Sequence, residues 1–270
     1  MVHALGGAPL TELAHVICDE GVVALLQLLR DHGHLLARLE VFEIRRVLEG
    51  QGEAVNGKLY YFGGYDRTLP DYWIPAVRAF EYDPVTDTFT RIADMPDGGL
   101  THSGTATDGQ YIYLAGGYPP RDNDPLRQAF STTDVWRYDP VSDSYTSMPS
   151  LPEARGAGAL EYANGYLYFM GGTSGYSAND RIEENEHWRL NLNGGTQWER
   201  MADLPLGRNH SGSVVIGDYI LYIGGQVGQD GPADGKRDIQ AYHIPTNTWE
   251  QRAQLPDSPR HHITESVVEL

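Results

Sequence analysis

Four short stretches of this chain are built from aromatic and aliphatic residues and stop at a pair of glycines: KLYYFGG, YIYLAGG, YLYFMGG and YILYIGG. Runs of this length and chemistry predict strands. The pairs Gly63-Gly64, Gly116-Gly117, Gly171-Gly172 and Gly224-Gly225 recur at intervals of 53, 55 and 53 residues, a period that marks a repeat architecture. Before the strands stand Asn56-Gly57, Asp108-Gly109, Asn164-Gly165 and Gly217-Asp218, dipeptides that favour two-residue hairpin turns with positive φ. Each repeat is therefore predicted to open with a hairpin.

The periodicity continues downstream. Tyr82, Tyr138 and Tyr242 each precede an aromatic residue by seven positions, namely Phe89, Tyr145 and Trp249. In the third repeat Leu190 precedes Trp198 by eight, so NLNGGTQW carries one extra residue. Phe89, Tyr145, Trp198 and Trp249 then stand seven residues before Pro96, Pro152, Pro205 and Pro256. The segments DPVTD, DPVSD and HIPTN supply turn chemistry for a second hairpin. Each repeat thus reads as four antiparallel strands, a to d, with b ending at the glycine pair and d holding the Phe, Tyr or Trp. A twisted four-stranded sheet repeated about every 50 residues is a propeller blade. The expected class is all-β: four recognisable blades and the first strand of a further one, PRHHITESVVEL.

A glycine doublet followed by a spaced tyrosine and tryptophan resembles the kelch repeat. The region from about residue 52 to 270 is similar to kelch β-propellers, including galactose-oxidase-like bacterial ones. The resemblance implies a fold and no single activity, because one fold carries many functions. Kelch rings resemble six- or seven-bladed closures, whereas four glycine pairs occur here. The expectation is an incomplete arc that would expose blade faces and allow self-association; the alternative is that the last strand closes a four-bladed ring.

Residues 1–50 read differently. Leu25, Leu28 and Leu29, then Leu35, Leu36 and Leu39, stand at helical spacing, with Gly33 as a stop, so two helices are predicted ahead of the propeller at 51–270.

Charge narrows the partners. The formal net charge is −17, which argues against nucleic acid because a polyanion is repelled at long range. The longest apolar run, Val22 to Leu29, falls short of the roughly 20 residues of a membrane span. The first residues lack a basic stretch ahead of an apolar one, so a cytoplasmic location is the default expectation, and an extracellular one would require a different gene start. Cys18 stands alone, which leaves no internal disulfide and no multi-cysteine zinc site, and a buried free thiol is its plain reading.

Antiparallel alternation puts the b–c and d–a connections on one face. The b–c loops are long and dissimilar, which makes that face the candidate binding surface. After the four prolines, Arg155, Arg208 and Arg260, and His102, His210 and His262, fall at matching places where strand a begins. Arginine forks onto carboxylates and imidazole donates or accepts near neutral pH. In kelch adaptor proteins the residues at this junction resemble the set lining a pocket for acidic motifs, which here implies Arg155, Arg208, Asn209, His210, Arg260, His261 and His262. The plainer alternative is that these arginines and histidines hydrogen-bond the backbone of the neighbouring blade. Tyr72 and Trp73, with Tyr118, Phe130 and Tyr176, offer aromatic platforms of the kind a sugar needs, or simply pack on the blade tops. His102, His210 and His262 could converge on the axis and hold a metal, but repeat symmetry explains their recurrence equally well, and neither metal nor cofactor is expected. Galactose oxidase chemistry needs a cysteine that the propeller lacks, and no G-x-S-x-G or H-E-x-x-H is present. The expected function is non-catalytic recognition of a protein or carbohydrate ligand; the alternative is a kelch-fold enzyme acting on a small acidic carbohydrate, similar to sialic-acid epimerases, with Arg and His as anion clamp and acid/base.

Overall fold

The computed structural model describes residues 14–19, 22–31, 34–38, 47–66, 74–121, 124–177, 180–228 and 234–256. Four antiparallel four-stranded sheets follow one another, each in the order a-b-c-d. Blade one comprises Gln51–Val55, Lys58–Phe62, Ala79–Asp83 and Thr88–Ile92. Blade two comprises Gly104–Thr107, Ile112–Ala115, Val135–Asp139 and Ser144–Ser147. Blade three comprises Ala159–Ala163, Tyr166–Met170, His187–Asn191 and Glu199–Arg200. Blade four comprises Gly212–Ile216, Tyr219–Ile223, Asp238–His243 and Thr248–Gln254. The predicted further strand lies outside the described residues.

Three of the four predicted a–b turns are two-residue hairpins, with Val55 opposite Lys58, Ala163 opposite Tyr166 and Ile216 opposite Tyr219. In blade two the strands part earlier, at Thr107 and Ile112. There the Asp108 carboxylate accepts the N–H groups of Gln110 (2.9 Å) and Tyr111 (2.7 Å), and that local competition lengthens the turn.

The helices expected before residue 50 are not seen among the described residues. Ala14–Asp19, Val22–Asp31 and His34–Arg38 make a three-stranded antiparallel sheet, with Asp19 opposite Val22 and Asp31 opposite His34. A continuous aliphatic run such as VVALLQLL has no polar face to set a helical period. Gly33, expected to stop a first helix, falls instead between the paired strands Val22–Asp31 and His34–Arg38.

The core is layered between blades. Phe62, Leu100, Ile112, Leu114 and Tyr138 pack between blades one and two. Leu160, Leu167, Phe169, Trp188 and Trp198 fill the space between two and three. Tyr168, Met170, Ile220, Tyr222 and Tyr242 do so between three and four. Fully burying one such side chain contributes about 1.5–3 kcal/mol.

A repeating set of polar bonds seals the outer edges. Tyr145 donates through its hydroxyl to the Ala93 carbonyl (3.3 Å), Trp198 through its indole N–H to Pro149 (2.8 Å), and Trp249 likewise to Ala202 (2.8 Å). Every strand d aromatic of blades two to four thus reaches back to the preceding blade. The c–d turns add a second bond: Ala93 donates its N–H to Asp143 and Ala202 donates to Asn247, both at 2.8 Å. Those carboxylate and amide oxygens are themselves held by Tyr138 (2.8 Å) and Tyr242 (2.9 Å). Trp198→Phe, which removes the N–H together with part of a buried ring, is expected to cost more than the roughly 1 kcal/mol of the hydrogen bond in urea denaturation. An unchanged midpoint would show that the seam bond contributes nothing.

Candidate functional site

The site grows from one backbone peculiarity repeated four times. Glu49, His102, Ala157 and His210 stand fourteen residues before the first glycine of each pair, and all four have left-handed backbones, with φ of 56°, 54°, 53° and 52°. Non-glycine residues adopt this region rarely, and strain of this kind collects at functional sites. The residues that follow the glycine pairs, Tyr65, Tyr118, Thr173 and Gln226, bridge to Leu48, Thr101, Gly156 and Asn209 respectively. The strained residues are tied together: Ala157 donates its N–H to the His102 carbonyl (2.8 Å), and His210 donates to Ala157 (3.0 Å). Two rings of side chains therefore meet where the inner strands begin, on the face of the b–c and d–a connections.

At the centre, His102 and His210 come edge to face with ring centroids 5.0 Å apart. They are 5% and 2% exposed. Tyr118 stacks on His102 at 4.3 Å, and Tyr65 meets it edge-on at 5.8 Å. The Glu49 carboxylate contacts Nε2 of His102. The Tyr65 hydroxyl donates to Oε1 of Gln128 (2.7 Å), and burial pushes its acidity well below that of an ordinary phenol. Gln226 is 1% exposed, and both its carboxamide nitrogen and oxygen lack a hydrogen-bond partner among the described residues. Glu49 and Gln226 escaped the sequence reading. The signal that finds them is their spacing from the glycine pair, which is that of His102 and Tyr118.

The arginines serve the blades. Arg155 is 1% exposed, donates to Glu186 (2.9 Å) and Glu153 (3.0 Å), and lies over the Trp188 ring at 4.9 Å. Arg208 is fully buried, donates to the Gly224 carbonyl (2.7 Å) and forks onto Asp238. Burial alone would raise the Asp238 carboxyl, but the guanidinium outweighs it and holds that carboxyl below its usual range. At these two positions the guanidiniums pair with carboxylates of their own repeat, Glu186 and Asp238, a partner that neither expected reading named. Asn209 joins the site: its Nδ2 donates to Glu183 (3.0 Å) and its Oδ1 contacts Nδ1 of His210. Tyr72, Trp73, Arg260, His261 and His262 lie outside the described residues. Of the other loop aromatics, Phe130 packs on Tyr118 at 5.2 Å, and Tyr176 is exposed beneath the Arg121 guanidinium.

Deeper along the inner strands, Glu53 is partly buried. Removal from water, reinforced by Glu161 and opposed by the Thr105 hydroxyl, pushes its carboxyl up from 4.5 to about 7. Because the folded-state value is raised, its contribution to stability is complete below about 4.5 and is lost as pH rises through about 7. Glu53→Gln should therefore melt higher than the parent at about pH 8 and with it at about pH 4. Parallel melting profiles for the two proteins would contradict this.

Strained αL residues, glycine pairs and a–d sheets define the class: four-stranded propeller blades carrying a buried polar cluster where the inner strands begin. The kelch motif model matches residues 52–96, 99–152 and 207–256, more than half of the chain, and the chain belongs to the kelch-repeat family. The unmatched repeat is the third, the one with the extra residue in its c–d turn. Kelch-like protein terF of Aspergillus terreus is 29% identical over 75% of this chain and 43% of its own length. A kelch repeat-containing protein of Arabidopsis thaliana is 31% identical over 67% of this chain and 41% of its own. Human kelch-like protein 23 is 27% identical over 71% and 31% respectively. The chain thus spans about two fifths or less of the length of these relatives. The solved structure of YjhT superposes with a TM-score of 0.64 at 17% identity, covering 79% of this chain and 67% of that one, and shares the fold.

Proposed function

We propose that this propeller is a non-catalytic recognition module that takes a segment of a protein partner at its axial mouth. The observation that carries the reading is the convergence of hydrogen-bonding groups there, above all the buried carboxamide of Gln226, whose two polar atoms find no partner among the described residues. A buried amide costs free energy until a partner meets it, so the mouth is primed for a ligand that donates and accepts. Kelch-like relatives support a protein partner. The alternative, an enzyme acting on an acidic sugar, needs a presented anion clamp, and Arg155 and Arg208 are spent on Glu186 and Asp238. The test is a peptide and glycan array probed with the full chain. Peptide binding that weakens about tenfold in Gln226→Ala and persists in Val141→Ala, on the opposite face, supports the reading. Glycan binding with turnover and no peptide binding overturns it.

A further inference from the structure

We propose that Glu49, His102 and His210 form a binding site for a divalent cation of the zinc type at the mouth of the propeller. This inference does not depend on the recognition reading. One donor atom from each of the three residues lies within 4.8 Å of the other two, and the two histidines are at least nine-tenths buried.

The hydrogen bonds around the two imidazoles bear on which nitrogen carries a lone pair. For His210, Nδ1 contacts Oδ1 of Asn209, an atom that only accepts, so Nδ1 carries the hydrogen and the neutral ring presents its Nε2 lone pair. For His102, Nδ1 lies 2.8 Å from Oγ1 of Thr101. In the ion-free site Nε2 of His102 carries the ring's hydrogen and donates it to the Glu49 carboxylate, while Nδ1 accepts from the Thr101 hydroxyl. Binding an ion at Nε2 takes the other neutral tautomer, in which Nδ1–H donates to Thr101 and that hydroxyl donates to Oε1 of Gln128 (3.4 Å), so the partners for the ligating tautomer are already in place. One donor atom from each of the three residues then lies within 4.8 Å of the other two.

The donor set selects the ion. Two imidazoles and a carboxylate are the protein ligands of open four-coordinate zinc sites, and the hydrogen-bonded Nδ1 partners, Thr101 and Asn209, are the outer contacts such ligands need. Tetrahedral bonds of about 2 Å put donors roughly 3.3 Å apart, so His210 approaches and Glu49 draws back slightly as the ion enters. The fourth position stays open to water or to a donor from a ligand.

The experiment titrates zinc chloride alone into the chelator-treated full chain by calorimetry, and records the visible absorption of the cobalt(II) form. One equivalent per chain and the intense absorption of four-coordinate cobalt are expected. Glu49→Gln and His210→Gln should each weaken zinc by about tenfold or more, Thr101→Val by about tenfold, and His243→Gln, at the c–d end of strand c in blade four, not at all. Absence of saturable binding, a weak octahedral cobalt spectrum, or full affinity in Glu49→Gln would each overturn the proposal. Because the cobalt spectrum is read on the unaltered protein, it decides the matter even where a substitution at His210 unfolds the chain.

Discussion

Arg208→Ala is expected to destabilise the propeller by about 3–5 kcal/mol, the largest loss from any single polar side chain described above. The guanidinium is fully buried, and its removal strands the Asp238 carboxylate and the Gly224 carbonyl without their donor. It also leaves a void beside Tyr222, over whose ring the guanidinium lies at 5.7 Å. A second readout separates this ion pair from mere loss of packing: the Asp238 carboxyl, now held low by Arg208, should titrate higher in the variant. Arg91→Ala, which breaks the exposed pair with Asp94, should cost less than about 1 kcal/mol. A stable Arg208→Ala variant in urea denaturation would mean that the guanidinium is dispensable to the blade and available to a ligand after all.

Gly63→Ala should be as severe for a different reason. Its φ of 60° costs an L-residue about 1–2 kcal/mol, and a Cβ there would stand 2.0 Å from the Leu100 carbonyl oxygen and 2.9 Å from Sδ of Met95. Leu100 O accepts the N–H of Gly64, so it cannot retreat without breaking the contact between blades one and two. The combined cost is expected at about 3 kcal/mol or more. Gly57→Ala is the control, since its φ is 75° but nothing lies within 4 Å of the added carbon, and it should cost about 1 kcal/mol. Equal melting temperatures for the two variants would remove close approach of the blades as the reason for the doublet.

The four blades were legible because the glycine pairs, the strand d aromatics and the prolines repeat in fixed register, and register in a half-buried sheet is dictated by which face each side chain must bury. The sheet at residues 14–38 was not, because a continuous aliphatic run such as VVALLQLL sets neither period and only strand pairing decides its structure. At the site, the sequence singled out His102, His210 and Asn209, which the fold does bring together. It grouped Arg155 and Arg208 with them by position alone. What it could not show is direction: the carboxylates that capture these arginines, Glu186 and Asp238, lie 31 and 30 residues away on the approach to or start of strand c. Glu49 stayed hidden because a single acidic residue in a predicted helix carries no pattern until the αL backbone places it beside the histidines.

The outer seams bear on how far these repeats can be treated as interchangeable. At two seams the bonding partner is an alanine, which offers both an N–H and a carbonyl to the next blade, and the next blade supplies an Asp or Asn beside its aromatic. At the seam between blades two and three the partner is Pro149, which has no N–H to give. The third blade lacks that Asp or Asn in register, and its turn spends Asn191 on its own Asn193. Moving blade three elsewhere in the array would leave an alanine N–H without its acceptor, and putting another blade after Pro149 would aim a carboxylate or amide oxygen at a residue that cannot donate. The heritable unit in this array is therefore the junction between two blades, and duplication or shuffling of single blades is constrained by the residue on the far side of the seam.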